Sequence, residues 1–310
     1  MAEPRFGAPD PRDVDAAAVR RGFARAAATY DAAAALQREI GGRMAQRLEY
    51  VKLAPSVVVD AGCGTGEAIG ELGVRYPGAT VVAFDIALPM VEAARRRSRS
   101  HRSLLRRLLR PLSGGRVATE PRFVCADVNA LPFAGVCTDL VWSNLALQWV
   151  NDLPRAFAEL RRVLKVGGLL SFTTFGPDTL RELRAAFVGV DAHTHTSRFV
   201  DMHDIGDMLV HAGFAEPVMD MEYVTLTFES PRALLAELKA LGATNRTRGR
   251  PRGLTGRTRW ARVTQALERL RSEGRIPATF EVIYGHAWKG EPRVTPEGHA
   301  IVRLQRPGRT

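Results

Sequence analysis

Between residues 57 and 174 short apolar runs alternate with longer amphipathic stretches, a rhythm that suits strands buried on both faces and helices with one apolar side. Strands are predicted over 57–60, 80–84, 123–126, 139–143 and 169–174. Helices are predicted over 67–76, 89–97 and 153–164, the last closed by Lys165 and the Gly167-Gly168 pair. Such alternation implies a mostly parallel sheet covered on both faces, with its ligand beyond the carboxyl ends of the strands. Two helices precede this region, over 14–28, opened by Asp13 as N-cap, and over 32–50. After Asp178 the pattern loosens into helices over 202–212, 232–241 and 260–271, with strands over 223–228 and 280–284.

Composition changes this picture little. A chain of 310 residues, 45% hydrophobic and 25% charged, suits a globular α/β protein, and no apolar run is long enough to predict a membrane-spanning helix. The proline-broken, acidic start is unlike a secretory leader, so a cytoplasmic location is expected. Cys63, Cys125 and Cys137 form no CxxC pair, which argues against a zinc knuckle or a disulfide framework. Charge changes the picture more: 44 Lys+Arg against 33 Asp+Glu give +11, and nearly all the basic residues are arginine. A GC-rich genome accounts for such a bias, and so does an acidic partner steered by a positive surface. No nucleic-acid-binding module is visible, and no nucleic-acid partner is expected. One arginine-rich segment, at about 95–116, lengthens the connection before the third strand. Its leucines at 104, 105, 108 and 109 recur at helical spacing, which fits a solvated insertion and allows weak contact with an acidic membrane surface.

Candidate chemistry starts at VVVDAGCGTGEA, residues 57–68. A dinucleotide turn, G-x-G-x-x-G, would place its third glycine at position 67, which is Glu67; the glycines here are Gly62, Gly64 and Gly66. A nucleoside with an amino-acid tail needs backbone room for that tail and an acceptor for its ammonium, a role that suits Asp60. Asp85, followed by Ile86 at the end of the second strand, suits two ribose hydroxyls. Asp127 and Val128, after the third strand, suit an exocyclic amine and an apolar ring face. Asn144 stands just beyond the end of the fourth strand.

Three acidic residues at successive strand ends, with DLVWSNLALQWV and RVLKVGGLLSFTT after them, resemble the class I S-adenosylmethionine-dependent methyltransferases. That resemblance implies a Rossmann-like doubly wound sheet, mostly parallel, and S-adenosyl-L-methionine as cofactor. It also implies an N-terminal helical lid over 1–54, a cofactor-binding core over 55–175, and a C-terminal part over 176–310 that completes the sheet with additional helices and forms the substrate and partner region. FARAAATYDAAAALQREI, WSNLALQW, FTTFGPDTL, LGATN and ATFEVIYGHAW are together similar to the malonyl-acyl-carrier-protein O-methyltransferase family of biotin synthesis, from about residue 20 to residue 288. The arginine-rich segment and the basic loop NRTRGRPRGLTGRTR depart from that family's pattern. DMHDIGDMLVHAGF and IPATFEVIYGHAW also resemble a second family, the methyltransferase-like arginine hydroxylase or assembly factor of respiratory complex I. A nucleic-acid methyltransferase would carry an NPPY-type tetrapeptide where this chain reads SNLA.

The first family implies methyl transfer to the carboxylate of a malonyl group carried by an acidic acyl-carrier protein. A carboxylate is already ionised at neutral pH, so the reaction needs placement rather than a general base. Arg198 is the expected carboxylate clamp, because a guanidinium grips a carboxylate through two parallel hydrogen bonds. Tyr30 is the expected lid over the methyl group, and Gln148 and Trp149 are expected to line the acceptor pocket. His193 and His195, with His203 nearby, lack a full ligand set, and no metal is expected. The arginines over 246–259 are candidate docking residues for the acidic carrier.

Overall fold

The computed structural model describes residues 10, 12–109, 119–191, 193–251, 253 and 255–291. Seven strands form one sheet: β1 (Val57–Ala61), β2 (Thr80–Asp85), β3 (Arg122–Cys125), β4 (Thr138–Ser143), β5 (Leu164–Phe175), β6 (Ala215–Phe228) and β7 (Ile276–Trp288). Their order is β3-β2-β1-β4-β5-β7-β6. The first five run parallel and β7 lies antiparallel to both β5 and β6. The direction of winding reverses between β1 and β4, so a crevice opens beyond the carboxyl ends of those two strands.

The helices are α1 (Ala16–Ala26), α2 (Tyr30–Ala33), α3 (Ala35–Arg47), α4 (Glu67–Arg75), α5 (Leu88–Leu109), α6 (Leu153–Val163), α7 (Arg181–Phe187), α8 (Met202–His211), α9 (Pro231–Ala240) and α10 (Arg257–Arg269). Strand alternation sends neighbouring residues to opposite faces. Val58, Leu140, Leu169 and Val282 pack with Ile40 and Met44 of α3, Leu72 of α4, Leu234 of α9 and Leu267 of α10. Val59, Val141, Leu170 and Ile283, one residue further along each strand, pack with Phe157 and Leu160 of α6 and with Ile205 and Leu209 of α8. Both faces are covered, as the apolar runs require.

The structure corrects several local expectations. Asp15, not Asp13, caps α1, its carboxylate accepting from the Ala18 N–H at 3.0 Å. The Gly167-Gly168 pair is a bend within β5, because the backbone is already extended from Leu164. α5 continues far beyond residue 97, so the arginine-rich segment begins as an extension of that helix. Residues 110–116 lie outside the described residues. β6 is 14 residues long and solvated along one face, and its charges and Pro217 hid all but the 223–228 end. α7 had no periodic signal long enough to register.

The N-terminal segment is fastened to two loops at once. The Val14 N–H donates to Asn151 Oδ1 and the Val14 carbonyl accepts from Asn151 Nδ2, each at 2.9 Å. Asp15 N donates to the Arg246 carbonyl and Arg248 N to the Asp13 carbonyl, each at 2.8 Å, around a bridge between Val14 and Thr247.

Candidate active site

A cavity of about 440 Å³ occupies the crevice. Its floor is the turn after β1, where Gly62, Gly64 and Gly66 all have positive φ. Gly62 is required twice over. Its φ is +76°, and a Cβ there would stand 2.3 Å from the Ala146 Cβ of the loop after β4. The Gly62 and Cys63 N–H groups both donate to the Phe84 carbonyl at 2.9 Å, which locks the turn against β2.

Asp60, Asp85 and Asp127 come together here because β1, β2 and β3 are adjacent and parallel. Asp85 and Asp127 line the cavity, with Ile86, Met90 and Val128 as its apolar wall. Asp85 accepts from Gly64 N at 3.1 Å and from Ala87 N at 2.8 Å, so it shapes the turn and keeps lone pairs for a ligand. Asp127 Oδ1 accepts from Asn129 N at 2.8 Å. Asp60, 2% exposed, borders a narrower recess of about 50 Å³ beside Gly62 and Gly64.

Three buried atoms around that recess have no hydrogen-bond partner: Asp60 Oδ2, Gln37 Oε1 and Trp142 Nε1. Two acceptors and one donor around one recess suit an amino-acid tail, which brings an ammonium and a carboxylate. The residues therefore fit S-adenosylmethionine: Asp60 and Gln37 for the ammonium, Asp85 for the ribose, Asp127, Ile86 and Val128 for the adenine. Gln37 and Trp142 were missed from sequence, although Gln37 lies inside FARAAATYDAAAALQREI and Trp142 inside DLVWSNLALQW.

At the acceptor end the cavity is lined by Phe23, Tyr30, Asn144, Gln148, Trp149, Phe175, Leu241 and Ala243. Phe23 packs edge-on against both Trp149, at 5.3 Å, and Tyr30, at 6.4 Å. Asn144 is held on both sides, Nδ2 donating to the Gln37 carbonyl at 2.9 Å and Oδ1 accepting from Thr173 at 2.7 Å. Gln148 Nε2 donates to the Leu145 carbonyl at 2.7 Å. Tyr30 lies over Gly64, and burial pushes its hydroxyl well above the usual range, with the Asp85 charge adding to the effect. It is therefore a donor, never a base, near neutral pH. The neighbouring Asp31 clips this segment down, accepting from Thr65 Oγ1 at 2.5 Å and from Arg97, which also pairs with Glu67.

Arg198 departs from expectation: it is exposed and absent from the cavity lining, although its neighbour Phe199 packs edge-on against the lining residue Phe175 at 5.9 Å. His195 stacks on Phe187 with ring centroids 3.8 Å apart and bonds Asp191 at 2.7 Å, while His203 bonds Asp201 at the start of α8. These contacts give both rings structural work away from the cavity.

Burial pushes Asp60 up to about 7, helped by the Asp85 charge, and pushes Asp85 up to about 6 against the pull of its backbone N–H partners. An unfolded carboxylate titrates near 3.8. Between about pH 4 and pH 7 the folded, cofactor-free protein therefore holds more protons than the unfolded chain, and its stability falls as pH rises through that window. An ammonium beside Asp60 favours the charged form, so cofactor affinity should rise across the same window, by up to about ten-fold per pH step for one proton. Thermal unfolding with and without S-adenosylhomocysteine checks both, and Asp60→Asn should flatten the difference. A slope unchanged in Asp60→Asn would assign it to other groups.

A family model described as a methyltransferase domain matches residues 59–172. A malonyl-[acyl-carrier protein] O-methyltransferase from Gallionella capsiferriformans is 54% identical, over 94% of this chain and 96% of that protein. One from Nitrosospira multiformis is 52% identical over the same shares of the two chains. The solved structure of the YcgJ protein from Bacillus subtilis superposes with a TM-score of 0.57, covering 82% of this chain and 99% of that one; at 16% identity it is a likeness of fold.

Proposed function

We infer that this chain, which belongs to the malonyl-[acyl-carrier protein] O-methyltransferase family, transfers the methyl group of S-adenosylmethionine to the free carboxylate of a malonyl-acyl-carrier protein. The product is the methyl ester that starts pimeloyl and biotin synthesis. The observation that carries the reading is identity above half over nearly the full length of a malonyl-carrier methyltransferase. The cofactor-shaped cavity at the switch point agrees with it. The similarity to complex I factors has no counterpart among these relatives.

S-adenosylmethionine supplies an electrophilic methyl group when bound. The residues at the acceptor end have to bring a carboxylate oxygen to it and remove water. Phe23, Trp149 and Phe175 give that end an apolar wall, which strips solvent from the carboxylate. Asn144 and Gln148 are committed to internal hydrogen bonds. The Tyr30 hydroxyl, with no such bond among the described residues, donates to the carboxylate and takes the orienting role expected of Arg198. Placement by one donor in a dry pocket matches a nucleophile that is already ionised.

The carrier's acidic surface meets exposed arginines on the 246–259 stretch and on α10, among them Arg248, Arg257 and Arg259. Among the described residues no helix is long and apolar enough to cross a membrane. We assign the reaction to the cytoplasm.

Incubation with methyl-labelled S-adenosylmethionine and malonyl-carrier protein should yield a base-labile methyl ester, and the gene should complement a biotin auxotroph. Failure of the wild-type protein to form that ester would overturn the reading. Tyr30→Phe should raise KM for the malonyl carrier by about ten-fold while S-adenosylhomocysteine affinity stays within about two-fold.

A further inference from the structure

Leu169, Ser171 and Thr173 share the face of β5 that α3 covers, and Thr173 is fully buried there. Its hydroxyl works in two directions. It donates to Asn144 Oδ1 at 2.7 Å and accepts from the Leu145 N–H at 3.0 Å, a bond that this N–H shares with the Thr173 carbonyl at 3.2 Å. Leu145 stands at a φ of +49°, in the left-handed region that a leucine seldom adopts, so the hydroxyl also pins a strained turn after β4. On the far side, Asn144 Nδ2 donates to the Gln37 carbonyl at 2.9 Å. Gly41 leaves room for that amide, since a Cβ there would stand 3.0 Å from Nδ2. The Gln37 carbonyl can only accept, which turns Nδ2 toward α3 and Oδ1 toward Thr173. The chain of bonds therefore closes only with a hydroxyl donor at position 173.

That chain ends at the recess beside Asp60. Gln37 is tied to the β4 loop through its own backbone, and its Oε1 is buried without a partner on the recess that Asp60 and Trp142 also line. We propose that Thr173 is a positioning residue for the cofactor's amino-acid tail: it fixes the Asn144 amide, the amide fixes the first turn of α3, and that turn holds the Gln37 side chain at the recess. Thr173 itself lies behind Asn144 and outside the lining of both the cavity and the recess. The inference rests on the placement of the tail beside Asp60 and is independent of the acceptor that receives the methyl group.

Two probes separate an effect on the tail from a general one. S-adenosylhomocysteine carries the amino-acid tail, and 5′-methylthioadenosine keeps the nucleoside and the sulfur without it. Calorimetry on the full chain near neutral pH should show the wild type binding the first at least about a hundred-fold more tightly. Thr173→Val, which matches the shape and lacks the hydroxyl, should cut that preference about ten-fold, with 5′-methylthioadenosine affinity within about two-fold of wild type. Thr173→Ser should restore it. Asn144→Ala should cut it by a similar factor, and the double variant with Thr173→Val no further, because both break one chain. Thr138→Val is the stability control: it removes an equally buried hydroxyl at the opposite end of β4, bonded to the Val57 and Leu140 carbonyls, and should leave the preference within about two-fold. A preference unchanged in Thr173→Val overturns the proposal. So does equal weakening of both probes, which would make Thr173 a packing residue alone, or a preference that falls in Thr138→Val as well. If Thr173→Val does not fold, Asn144→Ala reads the same chain, and an unchanged preference there overturns the proposal. A wild type with no preference removes the tail from this recess, and the proposal with it, before any variant is made.

Discussion

Replacing Asp85 by alanine should weaken S-adenosylhomocysteine binding by about a hundred-fold or more, measured by calorimetry near neutral pH. The carboxylate accepts from Gly64 N and Ala87 N, and both bonds shape the surface the cofactor lies on. The variant loses those charge-assisted bonds and the acceptor for the ribose hydroxyls. Such bonds contribute about 1.5–3 kcal/mol each, and two of them suffice for about a hundred-fold. The unfolding temperature of the cofactor-free protein should change little, because removing a buried carboxylate offsets the lost contacts. Affinity within a few-fold of wild type would show that Asp85 shapes nothing the cofactor uses. Asp85→Asn keeps the size but turns an amide N–H toward one backbone donor, and about ten-fold is expected.

Gly62→Ala should destabilise the folded protein by about 2–4 kcal/mol and depress kcat/KM more than stability alone explains. Backbone at a φ of +76° costs a residue with a Cβ about 1 kcal/mol. The new methyl would overlap the Ala146 Cβ at 2.3 Å, an overpacking cost of about 1–3 kcal/mol. Ala146 cannot rotate out of the way, so the loop carrying Asn144 and Gln148 must shift. Denaturant unfolding and steady-state kinetics check the two halves. Wild-type stability would mean that the β4 loop yields freely, and unchanged kinetics at lower stability would separate its position from catalysis.

The core of the fold was legible because its signals are local. Each of β1, β2 and β4 is a short apolar run, and α4 starts one residue after the third glycine, as the turn chemistry requires. The convergence of Asp60, Asp85 and Asp127 follows from strand order alone, once parallel strands are recognised. Gln37 and Trp142 were hidden for a different reason. Each looks like an ordinary helix or core residue, and its role emerges only when its unpartnered atom is found beside Asp60. Arg198 was chosen by residue chemistry without position: a guanidinium suits a carboxylate, and the structure places this one exposed and outside the cavity lining. The arginine-rich extension of α5 showed the reverse. Its beginning is no loose insertion, since Arg97 joins Asp31 of the N-terminal segment to Glu67 of α4.

The double fastening of Val14 and its neighbours to Asn151 and to residues 246–248 bears on turnover. Because residues 13–15, which lead into α1, share backbone hydrogen bonds with residues 246–248, displacing either segment from the cavity would break bonds to the other. Exchange of a ligand past this segment therefore costs the loss of both sets of bonds, those to Asn151 and those to residues 246–248, together.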